Sequence, residues 1–146
     1  KLIALDDNIE KIAICTGPGR FSGLRSGLAF CKGFARTKSI PIYAFDAFEL
    51  YASCIDDDSF QIIIDARKNQ AYPQSFKNQT AVSKIELIDQ ESIEATPFLY
   101  GNIPPAKSIA INANTVLSAC QRFIHQGGQP IPPEQIEALY IRPSVD

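Results

Sequence analysis

The sequence predicts an α/β protein, and three observations carry that reading. A short apolar run, Lys11-Ile-Ala-Ile-Cys15, feeds a glycine-rich turn at 16–20 and then a long apolar helical pattern. A second apolar run, Ile40-Pro-Ile-Tyr-Ala-Phe45, follows with the spacing of a returning parallel strand. A third, Phe60-Gln-Ile-Ile-Ile64, is separated from Gln70–Phe76 by a polar turn, as in a hairpin.

Taken in order, residues 1–10 read as the tail of a helix and a turn, and Ile12 to Cys15 as a strand. Ser22 is the expected N-cap of a helix reaching Lys38. After the strand at 40–45, Asp46-Ala-Phe-Glu49 has capping-box spacing. Ala47, Leu50, Tyr51 and Cys54 then continue with helical periodicity. Asp56-Asp-Asp-Ser59 reads as a solvated break between two lobes, 1–54 and 55–146. The second lobe opens with the hairpin at 60–76, and Val82–Ile88 is a candidate third strand. Thr96–Ala106 reads as loop because of its Pro and Gly, and Ser108–Asn112 as a short strand. Val116, Leu117, Cys120, Phe123 and Ile124 give a helix over 114–126, closed by Gly127-Gly128. Pro130–Pro133 reads as a linker into the closing segment Leu139–Arg142. No internal repeat or low-complexity tract is evident.

Composition narrows the function classes. The chain has 146 residues, 45% of them hydrophobic, so a core can form without staples. A net charge of −2 does not favour broad nucleic-acid or membrane binding. Cys15, Cys31, Cys54 and Cys120 sit singly in apolar runs, which reads as reduced thiols of a cytosolic protein. No run reaches the ~20 apolar residues of a membrane span. The chain starts at Lys1 and contains no methionine, so it is expected to be a fragment of a longer protein, or to lack residues such as modified methionines in the sequence as written.

The glycine loop could cradle an anion through backbone N–H groups and the helix N-terminus, with Thr16, Gly17, Gly19 and Ser22 as candidates. It matches neither common phosphate pattern. A Walker A motif counted from Gly17 would need Gly-Lys-Ser/Thr where Ser22-Gly23-Leu24 stands, and a dinucleotide fingerprint would need glycine at Ser22. Pro18 also removes a donor. A tight strand-to-helix turn is the simpler alternative.

The helix that follows has more apolar surface than one packing face needs. Phe21, Leu24, Leu28, Cys31 and Ala35 form one stripe. Gly23, Gly27, Phe30 and Phe34 form a neighbouring one, and together they span roughly 180° where ~100° suffices. Each glycine inside a helix costs about 1 kcal/mol relative to alanine, so a compensating close contact is expected there. That contact is with another part of the same chain or with a partner. Arg25, Lys32 and Arg36 form a third stripe, which reads as a solvated face, as a rim of charge around an interface or, with little aromatic interleaving to support it, as a tRNA contact. No acidic residue occurs between Lys11 and Phe45.

Catalytic chemistry is thin. His125 is the only histidine, near a helix end where a cation suits the dipole. A His-x-x-x-His metal site cannot be built, and a Ser-His-Asp or Cys-His set would have to recruit His125 without a supporting motif. Asp65, at the end of an apolar strand, is expected to cap its turn and pair with Arg67 or Lys68.

The stretch Thr16-Gly-Pro-Gly-Arg-Phe-Ser-Gly-Leu-Arg-Ser-Gly27 resembles the signature of the TsaB (YeaZ) family. Ile64-Asp-Ala-Arg-Lys68 with Tyr72, and Leu139-Tyr-Ile-Arg142, are similar to two further family segments in the same order. The resemblance implies the actin-like two-lobe α/β fold of sugar kinases and heat-shock chaperones, with the first lobe incomplete in this sequence. It implies a non-catalytic subunit of the bacterial machinery that makes threonylcarbamoyladenosine in tRNA, binding and activating the TsaD transferase together with the ATPase TsaE. It implies pairing through first-lobe helices, with a second copy or with TsaD, so Gly23, Arg25, Gly27, Phe30 and Phe34 become candidate interface residues. No metal or resident cofactor is implied; ATP or ADP would bind only at a complex interface, and tRNA only indirectly. Active members of the fold use Asp-Gly where this chain has Asp65-Ala66, which makes close backbone approach to phosphate harder. The alternatives are a nucleotide-binding enzyme of the same fold, such as an ATP-dependent transferase or a peptidase, and a plain homodimeric interaction module.

Overall fold

The computed structural model describes residues 8–141. The expected helix tail before Asn8, the side chain of Phe21 and the closing Arg142 lie outside the described residues. Contacts divide the chain into two compact units, Lys1–Ala47 with Cys120–Asp146, and Phe48–Ala119.

In the first unit, β1 (Ile12–Cys15) pairs in parallel with β2 (Ile42–Phe45), in the register Ile12↔Ile42 to Cys15↔Phe45. The crossover between them is α1 (Phe21–Lys38). Leu28 and Ala35 are buried and Leu24 and Cys31 half-buried, so the expected packing stripe does face inward. The helix starts one residue before Ser22, and its N-cap is Arg20, without a side-chain cap bond; Ser22 is an exposed first-turn residue instead of the cap. Ser39 ends the helix in the left-handed region at φ 55°, and its N–H and that of Ile40 both reach the Ala35 carbonyl.

The segment 129–141 is more than a linker. Ile131 bridges Ile42 antiparallel, donating its N–H to the Ile42 carbonyl at 2.8 Å. A single 3-10 turn follows at Pro133–Gln135, and Ile136 is 2% exposed in one core cluster with Leu28, Ala35 and Ile42. Ile12, Ile14, Ala44, Ile131 and Ala138 pack around that cluster. The segment is thus a strap that supplies core side chains and a partner for the outer edge of β2. This is why residues from Cys120 onward group with the N-terminal residues, whereas the sequence reading attached them to the hairpin lobe.

The second unit is a mainly antiparallel sheet in the order β5-β4-β3-β7-β8, with β6 also on β4. A short helix, α2 (Ala47–Ala52), leads into it; Asp46 directly precedes α2 as the Asp-x-x-Glu spacing predicts. β3 (Ser59–Arg67) and β4 (Gln70–Lys77) form the expected hairpin, with Phe60 opposite Phe76 and their rings stacked at 5.3 Å. Lys68 and Asn69, at φ 52° and 59°, make the two-residue turn with the positive φ values that suit strand twist. Asn78 and Gln79, at φ 48° and 64°, repeat the device between β4 and β5 (Thr80–Ala81). Pro73, which cannot donate, falls where β4 pairs with neither β5 nor β6.

Three expectations change here. Val82–Ile88 is not a strand; only β5 and β6 (Ile88–Asp89), at its two ends, are paired. Thr96–Ala106 is not all loop, because β7 (Leu99–Gly101) lies parallel to β3, with Leu99 1% exposed beside Ile63 and Ala71. β8 is Lys107–Ser108 and ends before the apolar residues expected to form it. Gly101 permits the β3–β7 approach, since a Cβ there would lie 2.0 Å from the Ile63 carbonyl oxygen. The last helix, α3 (Ala113–His125), crosses the division between the units. Gly127 and Gly128 close it by donating to Ile124 and Phe123, the Schellman pattern.

Candidate functional site: the glycine loop and the exposed face of the helix after it

The glycine loop is tied down from two sides. Thr16 donates both its N–H (2.9 Å) and its hydroxyl (3.3 Å) to the Phe45 carbonyl at the end of β2. Its own carbonyl accepts the Leu139 N–H of the strap at 2.8 Å. The Gly17 carbonyl accepts the Ala47 N–H at 2.7 Å. Gly17 is buried at φ 103°, and a Cβ there would meet Leu24 Cδ1 at 2.8 Å, so glycine is required on two counts. Gly17–Pro18 is cis.

These bonds sort the candidate loop residues. Thr16 and Gly17 spend polar backbone groups on holding the turn, and Pro18 has none to donate. Gly19 and Ser22 are exposed at the start of α1, where first-turn N–H groups have no helical partner. A Cβ on Gly19 would make only ordinary contacts with Leu24, at 3.7 Å or more. The loop therefore has a packed half and an open half.

The helix face is the more unusual surface. Gly23, Gly27, Phe30 and Phe34 follow the i, i+4, i+7, i+11 spacing and fall within about 60° of one another. A Cβ added at Gly23, Gly27 or Gly33 would meet nothing within 4 Å. Phe30 is 60% exposed, stacked on half-buried Phe34 with centroids 6.0 Å apart and rings 11° from parallel. Ser26, Ala29 and Gly33, exposed beside this stripe, widen it with small uncharged residues that the sequence reading left out. Their signal was there in the helical projection. Each glycine weakens the helix, and among the described residues none has a neighbour that a Cβ would displace.

One flank of this face is cationic. Arg25 donates from Nε to the Tyr140 hydroxyl at 3.3 Å, which ties the strap to α1. Lys32 and Arg36 line a cleft of about 110 Å³ with Pro133 and Glu134. A larger cleft of about 430 Å³ lies beside it, walled by Ile40, Pro41, Ile131 and Pro132.

Elsewhere, Asp65 behaves as its position suggests. Its Oδ1 accepts the Arg67 N–H at 2.8 Å, its Oδ2 lies 3.8 Å from the Arg67 guanidinium, and its own N–H donates to Asn102 Oδ1. Gln90 Nε2 donates to both Asp65 Oδ1 and the Gln70 carbonyl. Asp57 of the acidic run accepts a hydrogen bond from the Tyr100 hydroxyl. That bond, with burial and the nearby charge, pushes the Tyr100 phenol above its ordinary pKa. Among the described residues no group of three or more His, Cys, Asp or Glu is placed to hold a metal ion, and no helix is long and apolar enough to cross a membrane.

The fold is a mixed α/β one of the actin-like class. A structure from Pseudomonas aeruginosa, described as an uncharacterized protein with similarity to peptidase YeaZ, superposes with a TM-score of 0.73 at 21% identity, covering 93% of this chain and 75% of that one. YeaZ from the same organism superposes at 0.70 with 19% identity, covering 91% and 75%. The family model described as "TsaD: tRNA N6-adenosine threonylcarbamoyltransferase" matches residues 3–119. The tRNA threonylcarbamoyladenosine biosynthesis protein TsaB of Bacillus subtilis (strain 168) is 29% identical over 85 residues, 57% of this chain and 37% of that protein. The chain belongs to the TsaD family, on its TsaB (YeaZ) side. It spans well under half of the length of the curated relative it matches.

Proposed function

We propose that this chain acts in the synthesis of threonylcarbamoyladenosine in tRNA as a non-catalytic subunit. It docks on a TsaD-type transferase and activates it, with a TsaE-type ATPase as a further component, in the cytoplasm. The observation that carries the reading is the exposed face of α1: four in-line positions, two of them glycines with open space above them and two of them stacked phenylalanines. The likeness to TsaB, named for this pathway, supports the same reading. So does the single histidine, His125, which by itself cannot supply a two-histidine metal site. A nucleotide would meet the chain only at the open half of the glycine loop, Gly19 and Ser22, where a partner could complete the site.

Gly27→Arg tests the assignment. The new side chain has room on the isolated chain, so folding is expected to survive, while a guanidinium in the middle of an apolar interface would be desolvated without a partner. The full chain mixed with its own TsaD-type subunit is expected to form a mixed complex by light scattering, and the variant to form none. A complex that tolerates Gly27→Arg would place the interface elsewhere.

A further inference from the structure

The last turns of α1 and the strap enclose two adjoining clefts that share none of the residues Gly23, Gly27, Phe30 and Phe34. The larger, of about 430 Å³, is walled by Ile40, Pro41 and the run Pro130–Pro133. The smaller, of about 110 Å³, lies between Lys32 and Arg36 on α1 and Pro133 and Glu134 on the strap. Arg36, Pro133 and Glu134 line both, so the two form one trough. Pro41, Pro130 and Pro132 are exposed, and the trough is open to solvent at its rim.

The walls select what fits. Pro41, Pro130, Pro132 and Pro133 have no N–H to give. The N–H groups of Ser39 and Ile40 go to the Ala35 carbonyl, and that of Ile131 to the Ile42 carbonyl. The larger cleft therefore offers few main-chain donors, and a strand does not add to it as to a sheet edge. It offers instead a rigid apolar surface, proline rings and two isoleucines on a strap pinned by buried Ile136. The smaller cleft offers charge. Among the described residues the side chains of Lys32 and Arg36 form no ion pair, not even with Glu134 on the facing wall. Two unpaired cations thus face one carboxylate.

We propose that this trough docks an extended segment of a partner protein, with a large apolar or aromatic side chain seated among the prolines and an Asp or Glu two positions away held between Lys32 and Arg36. The spacing follows from the helix. The α1 positions lining the larger cleft, 35, 36 and 39, lie three residues beyond 32, 33 and 36 of the smaller, about 4.5 Å along the axis, and Ile40 and Pro41 carry the larger cleft further. In an extended chain, side chains two positions apart leave the same face at about 6.5 Å, while adjacent ones point to opposite faces. Small-ligand sites bury roughly 70–90% of their ligand, which an open trough does not, so a passing segment of chain is the better fit. The inference is independent of the α1 face proposed above for the transferase subunit.

Amidated six-residue peptides with tryptophan and glutamate two positions apart, in both orders, test this on the full chain. The chain has no tryptophan, so the peptide's own emission reports burial. A saturable blue shift is expected in at least one order, weakened when glutamate is moved next to tryptophan or replaced by glutamine. Arg36→Gln is expected to weaken binding about two- to fivefold and Glu134→Gln to tighten it, and rising salt to weaken it. Both side chains are exposed, and a folding defect would not move binding in opposite directions. No saturable shift up to millimolar peptide, or a shift indifferent to Arg36→Gln and Glu134→Gln, would overturn the proposal. So would indole-3-acetate binding as tightly as the peptides, which would give the trough to a small aromatic acid. Self-association abolished by Arg36→Gln would also overturn it, by giving the trough to a second copy.

Discussion

Gly17 and Gly101 are the two positions where single atoms decide the backbone. At Gly17 a methyl group would press on Leu24 in a conformation that L side chains rarely adopt, and at Gly101 it would overlap the Ile63 carbonyl. Gly101→Ala is expected to cost about 3 kcal/mol in urea denaturation, since the parallel β3–β7 pair must separate to admit it. Glycines 23 and 27 invert this logic. Gly27→Ala fills open space on a helix and is expected to stabilise the isolated chain by about 0.5–1 kcal/mol. Tyr100 gives a pH signature. Its raised pKa means the folded chain holds the phenolic proton more tightly than the unfolded chain, so its contribution is complete below about pH 10. It fades as pH rises through the higher folded value. Thermal denaturation followed above pH 10 is expected to show this loss in the wild type and not in Tyr100→Phe.

At the scale of elements, α1 and the strap divide the work. The inner stripe of α1 needs the strap, because Ile136 completes the cluster of Leu28, Ala35 and Ile42. Ile136→Ala is expected to cost about 2–5 kcal/mol by denaturation, a large part of the stability of a chain this size. The elements that were legible in the sequence are those with a period: α1 from its 3.6-residue stripe, α3 from its stripe and closing glycines, and the β3–β4 hairpin from its apolar run and polar turn. The strap had no period to read. Ile131, Ile136 and Leu139 are spaced among prolines, and their burial comes from pairing with β2 and the glycine loop, distant in sequence. β7 was hidden for a related reason. Three residues between prolines and glycines carry no alternation, and only its partner β3 makes it a strand. Ser22 misled because its residue type suits a cap, but the chain turns at Arg20.

For the whole molecule, the interaction surface proposed for the transferase subunit is one face of one helix. The glycine motif was legible as a family signature; what it does physically was not. Its first half is a tied turn, holding the end of β2 and the strap together, and its second half opens α1 and supplies the glycines of the exposed face. A motif that looks like a nucleotide loop thus sits beside an uncharged helix face fit for association.

The most direct measurement is light scattering with size-exclusion chromatography on the full chain, alone and mixed with its own TsaD-type subunit, for wild type and Gly27→Arg. The account predicts a mixed complex for wild type that is lost in Gly27→Arg while the variant remains folded. A mixed complex that persists in the variant, or no complex with the transferase subunit under any nucleotide condition, would contradict it.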